Sequence, residues 1–403
     1  MTELTTSYQD PVHGTRGWLV YDSARFRLAA GGCRVQAGLT AAALSTLAGR
    51  MTLKQRVLHA RVAGAKCGLD LDPHSPHRTE VLRRFLRFLR GDLLTRLSMG
   101  CDMGTNFGEL TDLAAAEGIP SIKYAVRRAQ GLRDEEFFAR LRLLDAKVGS
   151  LTVSQRRAGH ALAHAALSVA RHQRRRPPLR CAVQGFGTLG RGAVYALAES
   201  GARIVAVADE DGCATDPAGL DVGSMLDSPA GTPVPRIACG ASLLPREAVF
   251  DVPADILLLA ASENAICQAD AARLVAEVVV VGANGGLPPQ LEAILEQRGV
   301  LVVPDFIGGI GGSASMEVLF GAPVRPAPAQ ILDGVALLMR ELLDDLLERS
   351  RVLGSALPAV ATALARDAAT ATGAAADGPP YGTCPYLAAD PLRRPVALPL
   401  AAQ

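Results

Sequence analysis

The stretch "LRCAVQGFGTLGRGAVYALAESGARIVAVADEDG", Leu179 to Gly212, runs from an apolar segment through a glycine turn and a helical pattern into a second apolar segment that ends in acids. That order is strand, turn, helix, strand, a βαβ unit. The proline pair Pro177 and Pro178 stands just before it and is expected to stop the preceding helical pattern, "SQRRAGHALAHAALSVARHQRRR". Downstream, "ADILLLAA", "AEVVVVGAN" and "GVLVVPDF" read as further strands, separated by helical stretches such as "PPQLEAILEQRG". The fold class expected is α/β, with a Rossmann-type doubly wound parallel-sheet domain over 151–324.

Within the unit, Gly185-Phe186-Gly187-Thr188-Leu189-Gly190 forms the G-x-G-x-x-G pattern between strand and helix. The first glycine permits the tight turn, the second lets backbone approach a pyrophosphate at the helix N-terminus, and the third allows strand and helix to pack closely. An acid should then close the second strand to hold ribose hydroxyls, and Asp209 stands there, followed by Glu210 and Asp211. These acids would repel a 2′-phosphate, so NAD is expected as cofactor, with NADP not excluded.

Residues 1–150 alternate short apolar runs with helical patterns such as "TAAALSTLAGRM" and "EEFFARLRLLDAKVG", which predicts a second α/β domain. In "RGWLVYDSARFRLAAGG", Trp18 and Tyr21 read as strand residues. The helical patterns over 325–376 are expected to complete this first domain, and the Pro- and Ala-rich segment 377–403 to be a loosely held tail.

Composition narrows the function. With 403 residues, a net charge of +2 and 49% hydrophobic residues, the chain is an ordinary globular protein with no basic stripe. "RRFLRFLR", Arg83 to Arg90, interleaves apolar residues at helical spacing, so no nucleic-acid partner is expected. Apolar runs are too short to span a bilayer and no signal-peptide pattern opens the chain, so no membrane partner and a cytoplasmic location are expected. The eight cysteines are scattered without C-x-x-C pairs and predict reduced thiols, several of them buried; no metal is expected. His160 and His164, one helical turn apart, lack a third ligand and read as packing or solvated residues. Asp344 and Asp345 read as a solvated helix face.

Of the 42 basic residues only four are lysines, and two of them, Lys54 and Lys66, lie in "MTLKQRVLHARVAGAKCG". A chain this biased toward arginine should keep lysine mainly where an amine that can lose its proton is needed. Burial among Ala63, Gly64, Ala65, Cys67 and Gly68 disfavours the charged amine, so Lys66 can serve as a base. In "MGCDMGTN", Asp102 is a possible proton partner, although an aspartate in such a loop is more often a turn residue.

Taken together, "GGCR" (Gly31 to Arg34), "MTLK" (Met51 to Lys54), "GAKCGLDLDP" (Gly64 to Pro73), "CDMGT" (Cys101 to Thr105), "QGFGTLG", "AASEN" (Ala260 to Asn264), "GANGG" (Gly282 to Gly286) and "PDFIGGIGG" (Pro304 to Gly312) resemble, in order and spacing, the glutamate/leucine/phenylalanine/valine dehydrogenases. The resemblance covers roughly residues 25–375. It implies NAD(P)-dependent oxidative deamination of an L-amino acid to a 2-oxo acid and ammonia, or the reverse, by a homo-oligomer whose contacts lie in the first domain. By the same analogy Lys66 activates water, Asp102 moves the proton to and from the amino nitrogen, and Lys54 grips the α-carboxylate. Ala260, Ala261, Asn264 and Asn284 join the dinucleotide site, with Ser154, or failing that Thr152, at the nicotinamide carboxamide.

In glutamate-specific members a lysine precedes Gly-Gly-x-Arg; here that residue is Ala30, followed by Gly31 and Gly32. With Gly100, Ser313 and Met316 it should line a roomy, uncharged pocket, which points to a bulky apolar or aromatic amino acid rather than glutamate. Departures from the family pattern are Gly309 for an asparagine, Cys67 for a glycine, "TVSQRR" for the threonine-bearing helix start and Val281 for a glutamate. They leave two alternatives: a divergent member acting on an unusual imine or amino acid in specialised biosynthesis, or a dinucleotide-binding protein without deaminating activity.

Overall fold

The computed structural model describes residues 3–371 and 378–387. The described residues divide into two compact units, one formed by 3–139 together with 365–371 and 378–384, the other by 140–364 and 385–387.

The first unit is built on a five-stranded mixed sheet. Its strands are β1 (Leu4–Gln9), β2 (Arg16–Tyr21), β3 (Leu28–Gln36), β4 (Val62–Asp70) and β5 (Leu97–Cys101), in the order β1-β2-β4-β3-β5. The pairs β3/β4 and β3/β5 are parallel, whereas β1/β2 and β2/β4 are antiparallel. Alternation along the strands sends Leu19, Tyr21, Cys33, Val35, Ala65, Cys67, Leu69 and Met99 into one core, where Val81, Leu82, Phe85 and Leu86 of helix Arg78–Phe88 join them. The opposite face carries Gly32, Gly64, Gly68 and Gly100 (the residues that alternate with that apolar set), so backbone and polar groups can come close there. Helix Ala41–Val57, capped by the Thr40 side chain accepting from the Ala43 N–H, lies on this face: a Cβ at Gly64 would stand 2.0 Å from the Ala48 carbonyl oxygen.

After the two-residue pairing of β6 (Lys147–Val148) with β7 (Leu151–Thr152), the second unit carries a seven-stranded sheet. Its strands are β8 (Arg180–Gln184), β9 (Arg203–Ala208), β10 (Cys213–Thr215), β11 (Ser242–Leu244), β12 (Ile256–Leu259), β13 (Val278–Val281) and β14 (Leu301–Val303), in the order β11-β10-β9-β8-β12-β13-β14. The sequence of Leu179 to Gly212 thus forms the βαβ unit expected, and β8, β9, β12, β13 and β14 run parallel. The antiparallel edge formed by β10 and β11 was not legible, because these three-residue strands lack a periodic signal. Helix Val153–His172 ends at a Gln173 cap, before the prolines, because Arg174 turns out of the helix with φ +52°.

Three expectations about organisation are corrected. The unit boundary falls at 139/140 rather than near 150, since the buried Arg140 guanidinium donates to the carbonyls of Leu319 (2.7 Å) and Ala322 (3.0 Å). Helix Pro328–Leu353 packs on the helices Val153–His172 and Gly311–Gly321 of the second unit, so only the end of the following helix and what comes after it belong to the first. Residues 378–384 are not loosely held. Tyr381 is 2% exposed, its backbone N–H and carbonyl both pair with the Gln130 side-chain amide, and the Arg61 N–H donates to the Pro380 carbonyl. Of that segment, residue 377 and residues 388–403 lie outside the described residues. Trp18 and Tyr21 do lie on β2, and among the described residues no helix is long and apolar enough to cross a membrane.

Candidate active site

In the first unit, Lys66 on β4 is buried, with Nζ 2.5 Å from Asp102 Oδ2. Asp102 follows β5 directly. Its loop is fixed by the Thr105 hydroxyl, which donates to the Cys33 carbonyl (2.8 Å) and accepts from the Asp102 N–H (3.1 Å). Asp102 is therefore more than a turn residue. A third member joins from β3: Arg34, 3% exposed, donates through Nε to the same Asp102 oxygen at 3.0 Å. The sequence reading quoted Arg34 within "GGCR" but gave it no role. Gly32 and Arg34 alternate onto the face that carries Lys66, and that period was the signal available. Burial disfavours the Asp102 carboxylate, but the Lys66 and Arg34 cations outweigh it and hold its pKa down at about 2.

Lys54 stands buried in the last turn of helix Ala41–Val57. The Gly64 N–H donates to Thr52 Oγ1 (3.0 Å), and two residues further along each element stand Lys54 and Lys66. Gly31 is forced to be glycine, because a Cβ there would lie 1.6 Å from the Ala65 carbonyl oxygen, whereas Gly100 faces open space with its nearest neighbour 4.0 Å away. Ala30 is half-buried on β3, two residues before Gly32 and on its face. Cys67 is a buried packing residue: the hydrogen bond its thiol donates toward Cys33, together with burial, pushes that thiol well above the usual range, so it stays protonated. All eight cysteines are free thiols, five of them buried.

In the second unit each motif glycine has its own reason. Gly185 takes φ +99° and packs against Ala260 and Ala261, a Cβ at Gly190 would meet the Gly185 carbonyl oxygen at 1.8 Å, and Gly187 opens on space with nothing within 4 Å. Gly187 is also the N-cap of helix Thr188–Glu199 and supplies no side-chain cap, so the N–H groups of the first turn, among them those of Thr188 and Leu189, face that space. A pyrophosphate fits such a cradle. Phe186 lies beneath the Arg191 guanidinium, 5.2 Å from the ring centroid.

Asp209 follows β9 as expected, yet its carboxylate is gripped by backbone. Oδ1 accepts from the N–H groups of Asp211 (3.0 Å) and Gly212 (3.1 Å), and Oδ2 from that of Val234 (2.5 Å). Asn264 adopts φ +53° with its N–H on the Gly285 carbonyl, and the buried Asp305 accepts from the Gly285 N–H at 2.6 Å, which shapes the loop that carries Asn284. Thr152 is occupied as the N-cap of helix Val153–His172, in a capping box with Gln155, while Ser154 is half-buried in its first turn. Ser313 and Met316 are buried in helix Gly311–Gly321. Beside them the sequence reading missed Arg157, which donates to Ser315 Oγ (3.1 Å) and approaches Met316 Sδ (3.8 Å). His160 and His164 are buried packing residues with ring centroids 4.4 Å apart, whereas Asp344 and Asp345 are ion-paired to Arg171 and Arg349.

Comparison with known proteins agrees with both halves. Residues 149–320 match the family model "Glutamate/Leucine/Phenylalanine/Valine dehydrogenase", and residues 3–114 match "Glu/Leu/Phe/Val dehydrogenase, dimerisation domain". The chain is 30% identical over 291 residues to the NADP-specific glutamate dehydrogenase A1 of Halobacterium salinarum, covering 70% of this chain and 66% of that protein, just under two thirds of its length. Over 132 residues it is 36% identical to the NAD-specific glutamate dehydrogenase of Staphylococcus aureus, covering 32% and 31% of the two chains. Among solved structures, the hetero-hexameric glutamate dehydrogenase of Thermus thermophilus in its leucine-bound form superposes with a TM-score of 0.72 at 26% identity, covering 92% of this chain and 88% of that one. With its glycine cradle, its buried lysine–aspartate pair and both family models in register, this chain belongs to the glutamate/leucine/phenylalanine/valine dehydrogenase family.

Proposed function

We propose that the protein carries out NAD(P)-dependent oxidative deamination of an L-amino acid with an uncharged, bulky apolar or aromatic side chain, or the reverse amination. The observation that carries the reading is the buried cluster of Lys66, Asp102 and Arg34. The dinucleotide, when bound at Gly185, Gly187 and Gly190, supplies the nicotinamide ring that accepts a hydride from the substrate's α-carbon. The chain's own residues do the rest. Lys54 holds the α-carboxylate. Lys66 takes a proton from the water that attacks the imino carbon, and Asp102 carries the proton to and from the departing nitrogen. Arginine at position 66 could not do this, because it does not deprotonate.

Two features support a side chain other than that of glutamate: Ala30 stands where a lysine would be needed, and Gly100, paired with Gly32 on the same face, leaves open space. Either nicotinamide cofactor is compatible with the relatives, which include NAD-specific and NADP-specific enzymes. We also infer self-association through the first unit. Its match to a dimerisation domain supports this, as does β1, an edge strand exposed along most of its length.

The test is reduced-nicotinamide absorbance with a panel of L-amino acids, glutamate included, and NAD or NADP, repeated with Lys66→Ala. Turnover of a bulky apolar amino acid that the substitution abolishes is the expected result. Preference for glutamate would overturn the substrate reading. Tight dinucleotide binding with no turnover in either direction would favour the reading as a binding protein, which the glycine at position 309 motivates.

A further inference from the structure

Lys66 and Arg34 approach Asp102 from neighbouring strands of one sheet, and both meet the same carboxylate oxygen, Oδ2, at 2.5 Å and 3.0 Å. The two cations are not equivalent. A lysine that acts as a base must pass through its neutral form during turnover and then no longer anchors the carboxylate as an ion pair; a guanidinium keeps its charge at every working pH. Arg34 is also held at its other end, with Nη1 donating to Gln36 Oε1 at 3.3 Å, two residues along β3. Its fork is thus held by its own strand as well as by the aspartate.

We propose that Arg34 is a positioning residue that acts through Asp102: by holding Oδ2 while Lys66 changes charge, it keeps the carboxylate in place and presents Oδ1 to the substrate nitrogen. This rests on the reading of Lys66 and Asp102 as the catalytic pair. The charged and titratable groups around Asp102 are Lys66 on β4, Arg34 on β3 and the protonated thiol of Cys67. Its own loop adds the Thr105 hydroxyl, which is spent on backbone. Of the two cations only Arg34 is permanent, so its removal should let Asp102 protonate at higher pH.

Arg34→Gln and Arg34→Lys test this in the full-length protein. For Arg34→Gln the expected result is a kcat lower by about 10²-fold, an amino-acid KM within about threefold of the parent, unchanged dinucleotide affinity, and an acidic limb of the kcat profile moved to higher pH. Arg34→Lys restores the position of that limb, because charge is restored, but only part of kcat, because the fork geometry is not. An unmoved acidic limb in Arg34→Gln overturns the proposal, as does a raised KM with kcat intact, which would make Arg34 a substrate-binding residue. Should Arg34→Gln fail to fold, Arg34→Lys decides: parental kcat in that variant overturns the proposal.

A readout independent of turnover separates this inference from the functional reading. In aspartate-labelled protein, the ¹³C carboxyl resonance that Asp102→Asn removes should titrate at higher pH in the Arg34 variant lacking charge than in the parent. If it does not move, Arg34 does not act on Asp102, whatever the substrate proves to be.

Discussion

Asp102 and Asp209 each stand at the C-terminal end of a strand, one in each unit, and they are held in opposite ways. Asp102 is fixed by two side-chain cations from neighbouring strands, whereas Asp209 is clamped by three backbone N–H groups between 2.5 and 3.1 Å. A carboxylate held by side chains responds when one of them changes charge, so it can take part in proton traffic. One held by backbone cannot be moved without moving the chain, and it serves as scaffold. The same residue type at similar places in two sheets is therefore held by groups that can change charge in one unit and by backbone in the other.

The sharpest way to break this contrast is Lys66→Arg, which keeps a cation beside Asp102 but removes the base. Turnover should fall by at least about 10³-fold while the melting temperature stays near that of the parent; retained activity would place the base elsewhere. Asp102→Asn should follow, with kcat lower by about 10²-fold and dinucleotide affinity unchanged. The backbone-built site has an internal control: Gly190→Ala drives a methyl into the Gly185 carbonyl and should cost about 3 kcal/mol along with dinucleotide binding, while Gly187→Ala fills open space and should fold normally. Chemical denaturation and cofactor titration on both variants read this difference.

Asp209→Asn is predicted to lower stability by about 1–2 kcal/mol, because an amide nitrogen cannot accept from the Val234 N–H, and to shift preference toward NADP by less than about tenfold. A variant that changed only cofactor preference would collapse the comparison. The smallest effect at neutral pH, none, is expected at the buried His164, whose pKa burial holds down at about 4. There the folded state stays neutral while the unfolded chain takes up a proton below its ordinary pKa of about 6.5, so stability is lost as pH falls from about 6.5 to about 4. His164→Leu should flatten that loss, by about 2 kcal/mol at pH 5 in denaturation experiments compared across pH.

How much of this the sequence carried depends on distance along the chain. The βαβ unit was legible because its glycines, strand and acid lie within Leu179 to Gly212, and local spacing settles local geometry. Lys66 and Asp102 were legible as residue types, but their contact depends on β4 and β5 lying on either side of β3, a matter of sheet order that no spacing encodes. Arg34 escaped because its motif was read for its glycines. The clamp on Asp209 was hidden too, since its third donor, Val234, comes from 25 residues downstream. Arg157 reaches helix Gly311–Gly321 from a different helix, and the attachment of helix Pro328–Leu353 depends on its packing against two helices that lie before it in the chain.

The docked segment around Tyr381 bears on how the chain is made. The first unit contains residues 365–384, so the cavity that Tyr381 fills opens when synthesis reaches about residue 139 and is filled only after the whole second unit has been translated. At about 5–20 residues per second, that leaves an early-folding unit incomplete for about 10–45 seconds on the ribosome. During that interval the Gln130 amide and the Arg61 backbone have no chain to bind, and the nascent protein exposes at its first unit a groove that the segment around Tyr381 will later close.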